Sequence, residues 1–180
     1  MRTSFLLFFL VAITLFSCTQ NQDDTIVATH SSGGQLYLTS ADLQVSSLVD
    51  GDLGGDLIFD QSFVDNAGRN ISVYAHLTIS PNAFSGSRNI TMILDPDDAS
   101  IRFLPHITFA SDVSLDLKFT GLDLLSLGYA STGNVDFIYF NNNGTTELIE
   151  NNTSKVKLSQ NLIMVQNAKL LHFSRYGWVR

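Results

Sequence analysis

The stretch DGDLGGD, residues 50–56, places three carboxylates close together: Asp50, Asp52 and Asp56. Calcium takes hard oxygen ligands, and carboxylates at alternate positions supply them, so these three are the candidate metal ligands. Laid on the EF-hand loop, Asp50, Asp52 and Gly55 fit positions one, three and six. Position twelve, however, is Gln61 where a bidentate Glu is needed. A calcium site of another kind, here or at Asp95, Asp97 and Asp98 in DPDDAS, competes with a plainer account. In that account the aspartates close tight turns by accepting hydrogen bonds from nearby backbone amides. The plainer account is preferred, so no metal and no cofactor are expected.

The histidines are His30, His76, His106 and His172, and no two stand at an H-x-x-x-H spacing, so zinc is not indicated. His76 falls on the polar phase of its segment. His106 and His172 each precede an apolar strand residue and read as hydrogen-bonded structural residues. A serine nucleophile would want G-x-S-x-G on a strand-to-helix turn, and the sequence has none. HFSRY sets His172 and Ser174 two apart, on one face of an expected strand, with no oxyanion turn after them. Walker-type and dinucleotide glycine motifs are missing too, so the expectation is a protein that is not an enzyme. Tyr74, Tyr129, Tyr139, Tyr176 and Trp178 are the candidates for an aromatic binding platform, with core packing the preferred use of the last two.

The chain carries 10 Lys and Arg against 17 Asp and Glu, a net charge of −7, which argues against nucleic acid and against electrostatic docking on anionic lipid. Its N-terminus suggests a different route to a membrane. Arg2 precedes the apolar run FLLFFLVAITLF, Phe5 to Phe16, which is shorter than the roughly 20 residues a spanning helix needs. It reads as a secretory signal peptide over 1–17. The only cysteine, Cys18, follows at once, and LFSC resembles a bacterial lipobox. That resemblance implies a diacylglyceryl group on the Cys18 thiol, cleavage before Cys18 and acylation of the new amine, an anchor of two or three chains. A secretory signal with an incidental cysteine is the alternative. Residues 18–32 lack hydrophobic periodicity and are rich in Thr, Gln, Asn and Ser, as a flexible tether is. The acidic QDD just after the cysteine resembles an export signal to the outer face of an outer membrane.

Residues 33–180 have the periodicity of strands. In VSLDLKFT, Val113, Leu115, Leu117 and Phe119 alternate with polar residues; in ISVYAHLTIS, Ile71, Val73, Ala75, Leu77 and Ile79 do the same. Such alternation puts one set on a core and the other in water. Shorter segments of this kind are QLYLT, DLIFDQSF, RNITMILD, SIRFLP, VDFIYF, TELIE and KVKLS, separated by Gly, Asn and Asp turns. Only GLDLLSLG, 121–128, has the make-up for a turn or two of helix. Pro81 should end the strand that Ile79 closes, with Ala83 and Phe84 plugging the end of the fold. Pro105 should let the chain cross between sheets. The predicted fold is all-β: a single antiparallel β-sandwich after a signal peptide and flexible tether.

The Gly54-Gly55 pair, the ISPNAF turn, the strand running into DP, the F-L-P-H-I-T-F segment and the L-D-L-K-F strand together resemble a known domain. It is the β-sandwich shared by zonula occludens proteins, uncoordinated-type netrin receptors and ankyrins, over about residues 48–178. Asn82 stands where that family often has glycine. LLHFSRYGWV resembles the final strand of many bacterial surface modules. The resemblance implies an interaction-module role and no catalytic residues. The expectation is therefore a lipoprotein of the bacterial cell envelope, anchored in the outer membrane, that serves adhesion, complex assembly or envelope structure through a protein partner. The alternative is a ligand-binding surface lipoprotein that takes glycan, with calcium assistance as one form of that reading.

Overall fold

The computed structural model describes residues 43–141, 143–150 and 152–180; Cys18, the tether, His30 and the predicted QLYLT strand lie outside them. Two six-stranded antiparallel sheets make up the fold, which is the predicted all-β sandwich. The first sheet contains β1 (Gln44–Asp50), β4 (Ser87–Asp95), β5 (Ser100–Leu104), β8 (Phe137–Phe140), β9 (Thr146–Leu148) and β12 (Arg175–Trp178). Its spatial order is β1-β4-β5-β12-β8-β9. The second contains β2 (Gly55–Val64), β3 (Asn70–Ile79), β6 (Thr108–Thr120), β7 (Gly133–Asn134), β10 (Thr153–Lys157) and β11 (Leu162–His172), in the order β2-β3-β6-β11-β10-β7.

Alternation in the sequence becomes alternation in space. Ile71, Val73, Ala75, Leu77 and Ile79 of β3 face inward, at most 2% exposed, against an equally buried Val113, Leu115, Leu117 and Phe119 of β6. Strand β11 shows why a simple period misses it. Ile163 and Val165 are buried on odd numbers, Ala168 and Leu170 on even ones. Between them the register to β6 slips, with Val165 opposite Leu117 but Ala168 opposite Leu115. This is a β-bulge at Gln166 and Asn167, with Asn167 in the left-handed region at φ 55. Asp116 stabilises it by accepting from the Asn167 amide at 2.7 Å.

Pro81 and Pro105 act as expected. β3 ends at Ile79, and Ala83 (0% exposed) and Phe84 (8%) close the end of the core. Asn82 has φ 63, a conformation asparagine tolerates better than other side-chain-bearing residues. Pro105, after a cis bond, lies where the chain leaves β5 in the first sheet for β6 in the second. GLDLLSLG is not helical. It forms consecutive turns held by Asp123, which accepts from the Ser126 amide and hydroxyl, while Leu122 and Leu124 enter the core. Helix among the described residues is one 3-10 turn, Leu158–Gln160.

HFSRY is likewise not one strand. β11 ends at His172, Phe173 and Ser174 make a corner, and β12 begins at Arg175 in the opposite sheet. His172 and Ser174 therefore do not share a strand face. Phe173 stacks on Phe103 at 5.1 Å and meets the edge of Phe109 at 4.6 Å. The Tyr176 hydroxyl donates back to the His172 carbonyl, tying the two sides of the corner together.

Two outcomes test this packing. An ideal Cβ on Gly51 would stand 2.1 Å from the Phe84 carbonyl oxygen and 2.3 Å from its ring. Gly51→Ala should therefore cost about 1–3 kcal/mol, read as a lower urea midpoint. Tyr176→Phe leaves the His172 carbonyl without its donor and should cost about 1–3 kcal/mol at neutral pH. Burial raises the Tyr176 phenol above its ordinary 10.0. Above that pH the unfolded wild type loses a proton that the folded protein keeps, so wild-type stability falls. The gap to the Phe variant should narrow, as melting curves at rising pH would record.

Candidate functional site

The outward face of the second sheet gathers Asp56, Asp60, Tyr74, His76 and all four lysines. Strand pairing sets them in ranks, because residues in register on neighbouring strands share a face. One rank runs Asp56, Thr78, Ser114, Lys169; another runs Asp60, Tyr74, Lys118, Met164, Lys155, Asn134. Within the first rank and its neighbour, His76 Nε2 donates to Asp56 Oδ1 at 2.7 Å, and the Thr78 hydroxyl donates to the same oxygen at 2.9 Å. These bonds, the His76 one foremost, hold the Asp56 carboxyl below its ordinary 3.8. Lys169 pairs with Asp112 at 2.6 Å, and Lys118 Nζ lies 5.7 Å from the centre of the Tyr74 ring.

A cleft of about 420 Å³ opens beside this face, where β7 and β10 approach β8 and β9. Of its lining, Phe137, Ile149 and Ser154 are buried, and Asn134, Asp136, Thr153 and Lys155 are exposed. Trp178 Nε1 donates to Ser154 Oγ at 2.7 Å, so the core pins the buried part of the cleft. Lys155 belongs to both the cleft and the sheet face.

The carboxylates singled out as calcium ligands have other partners. Asp50 Oδ1 accepts from the Asp52 amide at 2.9 Å, and Asp52 Oδ2 from the Gly86 amide at 3.4 Å. Asp56 turns to His76. In the second group, Asp95 Oδ1 accepts from the Asp97 amide at 3.1 Å. The carboxylate of Asp98 is held by Arg175 and Arg180. Among the described residues no three His, Cys, Asp or Glu side chains are gathered as a metal site.

The remaining candidates disperse. His106 Nδ1 donates to the Phe173 carbonyl at 3.0 Å, and the His172 ring packs against Tyr139 at 4.4 Å. Tyr129, Tyr176 and Trp178 are core residues, which leaves Tyr74 on the sheet face and Tyr139 half-buried beside His172. The lysine ranks and the cleft escaped the sequence reading. Their only trace was KVKLS, whose two lysines alternate with a buried Val156, and nothing in one dimension set that segment beside Lys118. Compared with known proteins, the chain matches no family model and has no significant match among curated proteins.

Asp56→Asn isolates the sheet-face cluster. The folded carboxyl titrates below its unfolded value, so its contribution is complete above 3.8 and is lost as pH falls through the lowered folded value. With the Asp56 side chain 55% exposed, the neutral-pH loss should be small, about 0.2–1 kcal/mol. Denaturation midpoints of wild type and variant should differ near neutrality and converge in acid.

Proposed function

We propose that this protein is a lipid-anchored module of the bacterial cell envelope that acts by binding, in adhesion or complex assembly, and not by catalysis. One observation carries the reading: the carboxylates and histidine that could have done chemistry are engaged in holding the sandwich's own surface together. Asp56 serves His76 and Thr78, Asp116 serves the bulge, and Asp50, Asp65, Asp95 and Asp123 serve turn amides. What they leave to a partner is a broad polar sheet face and an adjoining cleft. The likeness of residues 48–178 to an interaction domain of receptors and scaffolds agrees with this. Anchoring rests on the lipobox-like LFSC around Cys18. A glycan is the second reading, favoured by the cleft, whose amide, hydroxyl, carboxylate and ammonium groups match a ligand made of hydroxyls.

Cys18→Ser tests the anchor. In cells grown with labelled palmitate, wild type should carry label and sediment with membranes, and the variant should lose both. Wild type without label overturns the lipidation. Proteinase K added to intact cells then decides orientation, since loss of the domain before lysis would place it on the outer surface.

A further inference from the structure

The chain has four lysines, Lys118, Lys155, Lys157 and Lys169, and all four project from the outward face of the second sheet. The arginines lie elsewhere among the described residues. Arg88, Arg102 and Arg175 are on the first sheet, Arg69 is in the β2–β3 turn and Arg180 is at the C-terminus. The same face carries Asp56 and Asp60 on β2 and Asp112 and Asp116 on β6, so it is balanced as a whole, but on its β6–β11–β10 side the lysines outnumber the aspartates four to two. Lys169 is neutralised by Asp112, but among the described residues no carboxylate pairs with Lys118, Lys155 or Lys157. Lys118 and Lys155 share a rank on either side of Met164, two strand spacings or about 10 Å apart. Lys157 follows two residues along β10, on the same side of the strand. The row continues into the cleft through Lys155, which has the amide of Asn134 as its register partner.

Resting on the binding-module reading and on its glycan form, we propose that this face and cleft bind an acidic polysaccharide, a chain of uronic-acid residues. One sugar would sit in the cleft, its hydroxyls meeting Asn134, Asn152 and Thr153 and its ring lying against the apolar surface of Val135 and Leu148. Asp136, on the same rim, accepts from sugar hydroxyls and disfavours a carboxylate at that end, which directs the charged group toward Lys155. Following sugars run across β10 and β11 to Lys118, their carboxylates meeting ammonium groups at strand spacing. The Tyr74 ring beneath Lys118 keeps that ammonium over the sheet. Spaced charges that alternate with hydroxyl-binding groups suit a linear polymer carrying both functions on every unit, and simple anions use only half of them.

The test is binding of the full-length protein, in detergent, to immobilised polygalacturonate, with neutral dextran and duplex DNA alongside. Polygalacturonate should be retained in a salt-sensitive manner and the other two should not. Replacing Lys118, Lys155 and Lys157 together by Gln should weaken binding about tenfold or more. Arg88→Gln with Arg102→Gln, which removes charge from the other sheet, should leave it unchanged. Equal retention of dextran would overturn the acidic specificity while upholding the glycan reading. Equal retention of DNA would reduce the face to a general polyanion surface and overturn the proposal. Failure to bind either polysaccharide would overturn the proposal, and the wider glycan reading would fall only if an array of other glycans were also not retained. The Cys18 fractionation is independent of all three results.

Discussion

Four residues, Arg175–Trp178, hold the first sheet together. β5 pairs with β4 on one side and β12 on the other, and β8 pairs with β9 and β12, so β12 alone joins the two halves. Such a short strand cannot hold that place through its ladder hydrogen bonds alone. Its side chains supply the rest. Tyr176 and Trp178 are buried, Phe137 lies parallel to Tyr176 at 6.1 Å, and the same ring meets the edge of Trp178 at 5.2 Å. Gly177, on the opposite side of the strand, admits Phe140 so closely that an added Cβ would stand 2.9 Å from its ring. Trp178 also reaches across the core to Ser154 of β10, so the strand that completes one sheet also positions the cleft at the margin of the other.

The second sheet faces a different problem at its edge. β2 is ten residues long, pairs with β3 throughout and, among the described residues, has no neighbour on its other side within the sheet. Ile58 projects from it, 56% exposed. A long edge strand with an exposed apolar residue invites pairing with a second copy. Asp56 and Asp60 flank Ile58 on the same face, and antiparallel self-pairing centred on Ile58 would set Asp56 of one copy against Asp60 of the other. Like charges directly opposite destabilise such a pair. The bond from His76 to Asp56 keeps one of these charges on the sheet surface, so this small polar cluster protects the edge.

Net charge and local charge give different guidance for this protein. A value of −7 describes the far field, which governs solubility and long-range steering. Contact with a ligand is governed by what lies within a Debye length, about 8 Å at physiological salt. On that scale the lysine-bearing part of the second sheet is basic, and the aspartates that dominate the total are spread over turns, the β2 edge and the bulge.

Much of the architecture was legible in one dimension because its causes are local. Two-residue alternation in β3 and β6 follows from one wet face and one dry face. The strand end at Pro81 follows from a missing donor, and the closed turns at Asp50 and Asp95 from a side chain that reaches an amide two residues on. What escaped depends on residues far apart in the chain. Strand β11 was hidden because its bulge reverses the phase of burial, and the bulge is supported by Asp116, 51 positions away. β1 was hidden because it is an edge strand with little buried beyond Val49. The HFSRY corner reads as one continuous strand until Phe103 and Phe109 are brought against Phe173 from another part of the chain. The lysine row and the cleft exist only once β6, β7, β10 and β11 lie side by side. Periodicity tells which way a side chain points, whereas its neighbours depend on the order of strands, and that order is set by burial across the whole sandwich.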